Sequence, residues 1–90
     1  MFHKVKSVTP LPDLMLLVEF QDASTRKYDV KPLLQKWQAF QALRYIPGLF
    51  EQVRVDAGGY GVSWNEDIDL SCDELYYGAL DRITYEGANS

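Results

Sequence analysis

The stretch VRVDAGGYGVSWNEDIDLSCDEL, Val53 to Leu75, is the most legible part of this 90-residue chain. Val53-Arg54-Val55 alternates apolar and charged side chains, as a half-buried strand does. Asp56-Ala57-Gly58-Gly59 follows, and paired glycines accept positive φ without a Cβ penalty, which suits a tight hairpin turn. Tyr60 to Trp64 reads as the return strand, kept short or bulged by Gly61. Its alternation puts Val62 and Trp64 on the core side and Ser63 on the other. Asn65-Glu66-Asp67 is a polar break. Ile68-Asp69-Leu70 alternates again, as a last short strand or an extended segment. Ser71-Cys72-Asp73-Glu74 has the form of a capping box: the Ser hydroxyl accepts from the backbone N–H three residues on, and Glu74 reaches back. Asp73 and Glu74 also lie where the helix dipole favours negative charge. Leu75, Tyr76, Ala79 and Leu80 then supply one apolar side for a helix of about two turns, with Gly78 inside it or at its end.

Upstream, Lys4 to Pro10 is a first strand, and the prolines of Pro10-Leu11-Pro12-Asp13 place a turn there. Leu14 to Phe20 carries the strongest strand signal. Leu14, Leu16, Val18 and Phe20 share one face, Met15, Leu17 and Glu19 the other, so this strand is expected at the centre of a sheet. Gln21 to Ser24 is a hairpin connection. Thr25 to Val30 is the next strand, with Arg26, Tyr28 and Val30 on one face. A helix opens at Asp29 to Pro32, since Pro suits the first helical position. Leu33, Leu34, Trp37, Phe40 and Leu43 fall at helical spacing, as one helix or as two broken near Gln38. Pro47 ends it, and Gly48 to Glu51 forms one more turn. The order predicts an α+β fold: a small antiparallel β-sheet in the sequence β-β-β-α-β-β-α, with helices packed on one face. Residues 1–90 are expected to form one domain, ordered over about 3–80, with a flexible tail at 81–90.

Composition narrows the class. A hydrophobic share of 47% is that of a folded protein. No apolar run approaches the ~20 residues of a membrane-spanning helix, and Met1-Phe2-His3-Lys4 lacks the apolar region of a signal peptide. Cys72 is the only cysteine, so no disulfide forms within the chain and a reducing, cytoplasmic setting is expected. The net charge of −4 is unevenly divided. Residues 1–45 hold seven basic and four acidic side chains, a balance of +3; residues 46–90 hold two basic and nine acidic, a balance of −7. An acidic second half disfavours direct nucleic-acid binding there and favours a basic protein partner through electrostatic steering.

Three pieces of the chain fit a family pattern. They are Val5-Lys6-Ser7-Val8-Thr9-Pro10-Leu11 with Leu16-Leu17-Val18-Glu19-Phe20; Tyr28-Asp29-Val30-Lys31-Pro32-Leu33-Leu34 with Phe40 and Leu43; and Leu49 to Asp56 with Gly61-Val62-Ser63-Trp64, Asp69-Leu70-Ser71 and Glu74-Leu75-Tyr76. Together they resemble the bacterial domain-of-unknown-function family 2442 over about residues 4–77. The resemblance implies a small α+β domain with no established activity and no functional residues to carry over. Some members are similar to the N-terminal part of proteins that carry a helix-turn-helix domain afterwards. Others stand alone, encoded beside a second small protein in a pairing similar to toxin–antitoxin modules. With Ser90 as the last residue, no DNA-reading helix pair is expected in this chain. Many relatives have a glycine between the Trp and the Asp-Leu pair, where this sequence has Asn65-Glu66-Asp67-Ile68.

No residue set carries a catalytic signature. Cys72 would sit in the first turn of a helix, where the dipole lowers a thiol pKa. A nucleophile also needs a base, His3 is the only histidine, and Asp73 and Glu74 oppose a thiolate; the ordinary reading is an inert small side chain. Asn65, Asp67 and Asp69 alternate like the start of a calcium loop, but the Gly and Glu that loop needs at its sixth and twelfth positions are Leu70 and Tyr76. Gly58-Gly59-Tyr60-Gly61 leads into a strand and not into a helix, so it reads as a hairpin turn and not as a phosphate cradle. Nothing marks Glu66 with Asp69 or Glu74 as an acid/base pair. Trp37 and Trp64 are expected in the core. The expectation is a non-enzymatic protein-interaction module without cofactors, with a basic protein or a second copy as partner and no membrane. It could serve as one half of a toxin–antitoxin-like pair. The alternative is a transcription-associated dimerisation or ligand-sensing domain. The expected contact surface comprises Tyr60, Glu66, Asp67, Asp69, Asp73, Glu74, Tyr76 and Tyr77.

Overall fold

Leu16, Val18 and Phe20 are fully buried on one face of a central strand, and the first sheet is built around them. In the computed structural model, which describes residues 2–78, that strand is β2 (Met15–Phe20). It lies between β1 (Val5–Leu11) and β3 (Thr25–Asp29), antiparallel to both. The apolar character of both faces of Leu14–Phe20 thus marks the middle strand, as expected. Pro10 lies inside β1 and not in the turn, since an edge strand tolerates a missing N–H. Pro12, Asp13 and Leu14 make the turn, Asp13 and Leu14 at φ 66° and 57°.

The second sheet comes from Val53–Leu75. Strands β4 (Arg54–Val55), β5 (Gly61–Asn65) and β6 (Ile68–Ser71) pair antiparallel in that order. The class is α+β, but the strands are divided between two three-stranded sheets, and Ile68-Asp69-Leu70 is a true sixth strand. Register shifts between Ser63 and Asn65, so Trp64 is the extra residue of a bulge. Ser63 and Trp64 are in consequence buried side by side. The Ser63 hydroxyl donates to Asp56 Oδ1 (2.7 Å), and the Trp64 indole N–H donates to the Phe50 carbonyl (3.0 Å).

Gly58 and Gly59 do make the β4–β5 connection, both at φ +80° in a short 3-10 turn. Gly59 has a second role. A Cβ there would lie 2.6 Å from the Val5 carbonyl oxygen, so the missing side chain lets this turn touch β1 and brings the two sheets together.

Between the sheets the chain forms α1 (Lys31–Lys36), a 3-10 turn over Gln38–Gln41, and α2 (Ala42–Tyr45). Of the two readings of this region, one helix or two broken near Gln38, the structure has the broken one, with the break at Trp37. Trp37 is extended (φ −130°, ψ 123°), and its side chain is 45% exposed. Its expected place in the core is corrected: the break rotates it off the face that keeps Leu33, Leu34, Phe40 and Leu43 buried. A further 3-10 turn, Phe50–Gln52, precedes β4.

The last described helix is α3 (Cys72–Tyr77), capped by Gly78, whose N–H donates to the Glu74 carbonyl. Ala79, Leu80 and the tail expected at 81–90 lie outside the described residues. One core joins both sheets and all three helices: Leu16, Val18, Phe20 and Val30 meet Leu33, Phe40, Leu43, Val62, Trp64, Ile68 and Leu75. Among the described residues, no helix is long and apolar enough to cross a membrane.

Candidate functional site

The residues expected to form one contact surface fall into two groups, at opposite ends of the β5–β6 hairpin. The strand between them has five residues, about 16 Å of extended chain.

At one end are the tyrosines. Tyr60 precedes β5 and is 50% exposed. Phe2 meets its ring edge-on (5.5 Å between centroids), and Lys4 Nζ lies 4.9 Å from its centroid. Tyr76, on α3, is half-buried between two partners. The His3 ring stacks on it at 3.6 Å and 2°, and the Arg26 guanidinium lies 4.4 Å from its centroid. Phe20 closes its edge. Tyr77 is exposed, with its hydroxyl hydrogen-bonded to His3 Nε2 (3.2 Å). Tyr76 and Tyr77 fasten the N-terminal segment to α3, and Tyr60 fastens it to the turn before β5. Phe2, His3 and Arg26 were missed as partners because they lie more than thirty positions away in sequence; aromatic composition alone does not pair them.

Asp73 and Glu74 sit at the start of α3. The Ser71 hydroxyl accepts from the Glu74 N–H (3.1 Å), which is half of the expected capping box. The other half is replaced. Glu74 Oε2 accepts from the buried Tyr28 hydroxyl (2.7 Å), tying α3 to β3. Burial and this bond raise the Tyr28 pKa. Asp73 is half-buried, with Oδ1 3.9 Å from the Cys72 sulfur. Cys72 is buried, and burial pushes its thiol pKa up, with the Asp73 carboxylate adding to the effect. That is opposite to the shift a reactive thiol needs. His3 is engaged with Tyr76, Tyr77 and Asp22.

At the other end Glu66 and Asp67 form the β5–β6 turn. Asn65 Oδ1 accepts from the N–H groups of Asp67 (2.8 Å) and Ile68 (3.0 Å), so the side chain closes the hairpin. The polar break of the sequence is this turn. Asp69 points outward from β6, opposite Ser63. The carboxylates of Glu66, Asp67 and Asp69 are exposed and have no hydrogen bond or ion pair among the described residues. The first half differs: Lys31 bridges Asp13 (3.3 Å) and Asp29 (2.9 Å), and Lys6 faces Glu19 (3.8 Å). Asp67 and Asp69 form one wall of an open groove of about 440 Å³, and Trp37, Gln38, Ala39 and Phe40 form the rest. Among the described residues there is no group of three or more His, Cys, Asp or Glu placed to hold a metal ion.

A family model described as "Protein of unknown function (DUF2442)" matches residues 5–81. The chain belongs to the DUF2442 family. No curated protein matches it. Among solved structures, the DUF2442 fold seen here is similar to a crystal structure from Nitrosomonas europaea, of a protein provisionally described as DNA-binding. The TM-score is 0.74 at 20% identity, over 90% of this chain and 51% of the other. This chain thus spans about half the length of that protein. At this identity the likeness establishes the shared fold.

Proposed function

We propose that this DUF2442 domain is a non-enzymatic protein-binding module whose contact surface is the acidic end of the β5–β6 hairpin. One observation carries the reading. Glu66, Asp67 and Asp69 are exposed and unpaired among the described residues, although seven basic side chains occupy the first half of the chain. Carboxylates with no internal partner steer and orient a basic protein at little cost in desolvation. Asp73 and Glu74 belong to the helix cap and the Tyr28 bond, and the tyrosines to the anchoring of the N-terminal segment, so these are supporting parts. The module works without a cofactor in the cytoplasm, and in its most specific form it is one half of a toxin–antitoxin-like pair. The test is affinity capture from a lysate of cells that carry the protein, at low and at high salt, with mass spectrometry. A basic protein held at low salt and released at high salt is the expected result; retention insensitive to salt would overturn it.

The likeness to the Nitrosomonas europaea protein favours a second reading, a dimerisation or ligand-sensing domain of a DNA-binding protein. A stable homodimer by light scattering, with no basic protein captured, would select it.

A further inference from the structure

We infer that the groove beside the acidic turn is a seat for one arginine side chain of the partner. The inference rests on the interaction reading above and names what that surface grips.

The groove offers two chemistries at once. One wall is the exposed indole of Trp37, and Phe40 beside it is buried. The other wall carries Asp67 and Asp69, with Glu66 adjacent in the turn. Trp37 is rooted through ring contacts, to Phe40 at 5.7 Å and from Phe40 to Trp64 at 6.1 Å. An exposed tryptophan fixed to the core costs little entropy when it binds. The ring already takes a cation: Lys36 Nζ lies 4.9 Å from its centroid. A guanidinium fits this pair of walls better than an ammonium. Its flat face stacks on an indole while its in-plane N–H groups reach carboxylates in a fork. The groove, of about 440 Å³, has room for one long side chain. The charges agree, since the carboxylates are unpaired among the described residues and the occupant is a cation. Lys36 is then an internal competitor, swung aside when the partner binds.

The test is a titration of the isotopically labelled chain at low salt, followed by NMR, with the capped pentapeptide Gly-Gly-Arg-Gly-Gly. The same peptide with citrulline in place of arginine is the control; it keeps the shape and removes the charge. The arginine peptide is expected to shift the Trp37 indole N–H and the amides of residues 38–40 and 67–69, saturating in the millimolar range, with the Trp64 indole unmoved. Trp37→Ala, and separately Asp67→Asn with Asp69→Asn, weaken binding by about fivefold or more. Lys36→Gln tightens it by about twofold. Equal shifts with citrulline, shifts spread over Asp13 and Asp22 as much as the groove, or indifference to Trp37→Ala would overturn the inference. Failure here need not be failure of the interaction reading. If the peptide misses the groove while charge reversal of Glu66, Asp67 and Asp69 still releases a captured basic protein, the arginine seat falls and the acidic surface stands. If the reversed chain also keeps the protein, both fall.

Discussion

The two ends of the β5–β6 hairpin are both rich in groups that bind partners, yet they are connected differently. At the tyrosine end each ring is matched: Tyr60 with Phe2 and Lys4, Tyr76 with His3 and Arg26, Tyr77 with His3. At the acidic end, among the described residues, Asn65 alone bonds to its own backbone, and the carboxylates of Glu66, Asp67 and Asp69 are exposed. On the proposed reading, this difference separates stability from recognition along one five-residue strand. Tyrosines engaged with their own chain hold the fold, while carboxylates without partners among the described residues are open to a second molecule.

The comparison breaks if substitutions at the two ends cost alike. The largest effect is expected at Tyr76→Ala, which removes a half-buried ring packed on both faces: a loss of about 3 kcal/mol in urea unfolding. Gly59→Ala follows, at about 2 kcal/mol, because φ is +80° and the new Cβ would press on the Val5 carbonyl. Tyr28→Phe removes the hydroxyl bond to Glu74 and costs about 1 kcal/mol at neutral pH. This variant also has a pH signature. The folded-state pKa of Tyr28 is raised, first by burial and then by the bond to Glu74. The neutral phenol is therefore favoured in the fold. Its contribution is fully present below the unfolded value of about 10 and is lost as pH rises through the folded pKa. The stability gap between wild type and Tyr28→Phe should narrow above about pH 10 in unfolding series at stepped pH; a gap that widens would contradict the assignment. The smallest effect is expected at the acidic end. Glu66→Gln, Asp67→Asn and Asp69→Asn together should stay within about 0.5 kcal/mol of wild type. The Cys72 thiol sharpens the same boundary: thiol reagents at pH 8 should modify it only at the rate of unfolding.

Local pattern made much of this legible. Two apolar faces in Leu14–Phe20 identified the central strand, and the glycine pair with the Ser71 cap located the β4–β5 connection and the start of α3, whereas the division of the strands between two sheets was not legible. What stayed hidden depends on contacts between distant residues. Helical spacing in 33–43 put Trp37 on the buried face, and because the segment contains neither Gly nor Pro the break near Gln38 stood only as an alternative to one continuous helix. The second half of the capping box was invisible as well, because Glu74 bonds to Tyr28, 46 positions away. Counting charges by halves showed an acidic excess but not which carboxylates are engaged. Only the folded chain separates Glu74, bound to Tyr28, from Asp67 and Asp69, which line the groove.

The most direct test compares three forms of the chain in capture from lysate at low salt: wild type, Tyr77→Ala, and the triple reversal Glu66→Lys, Asp67→Lys, Asp69→Lys. Circular dichroism melts would establish that all three fold. The account predicts that wild type and Tyr77→Ala retain the same basic protein and that the reversed chain releases it. Retention by the reversed chain, or loss by Tyr77→Ala alone, would contradict it.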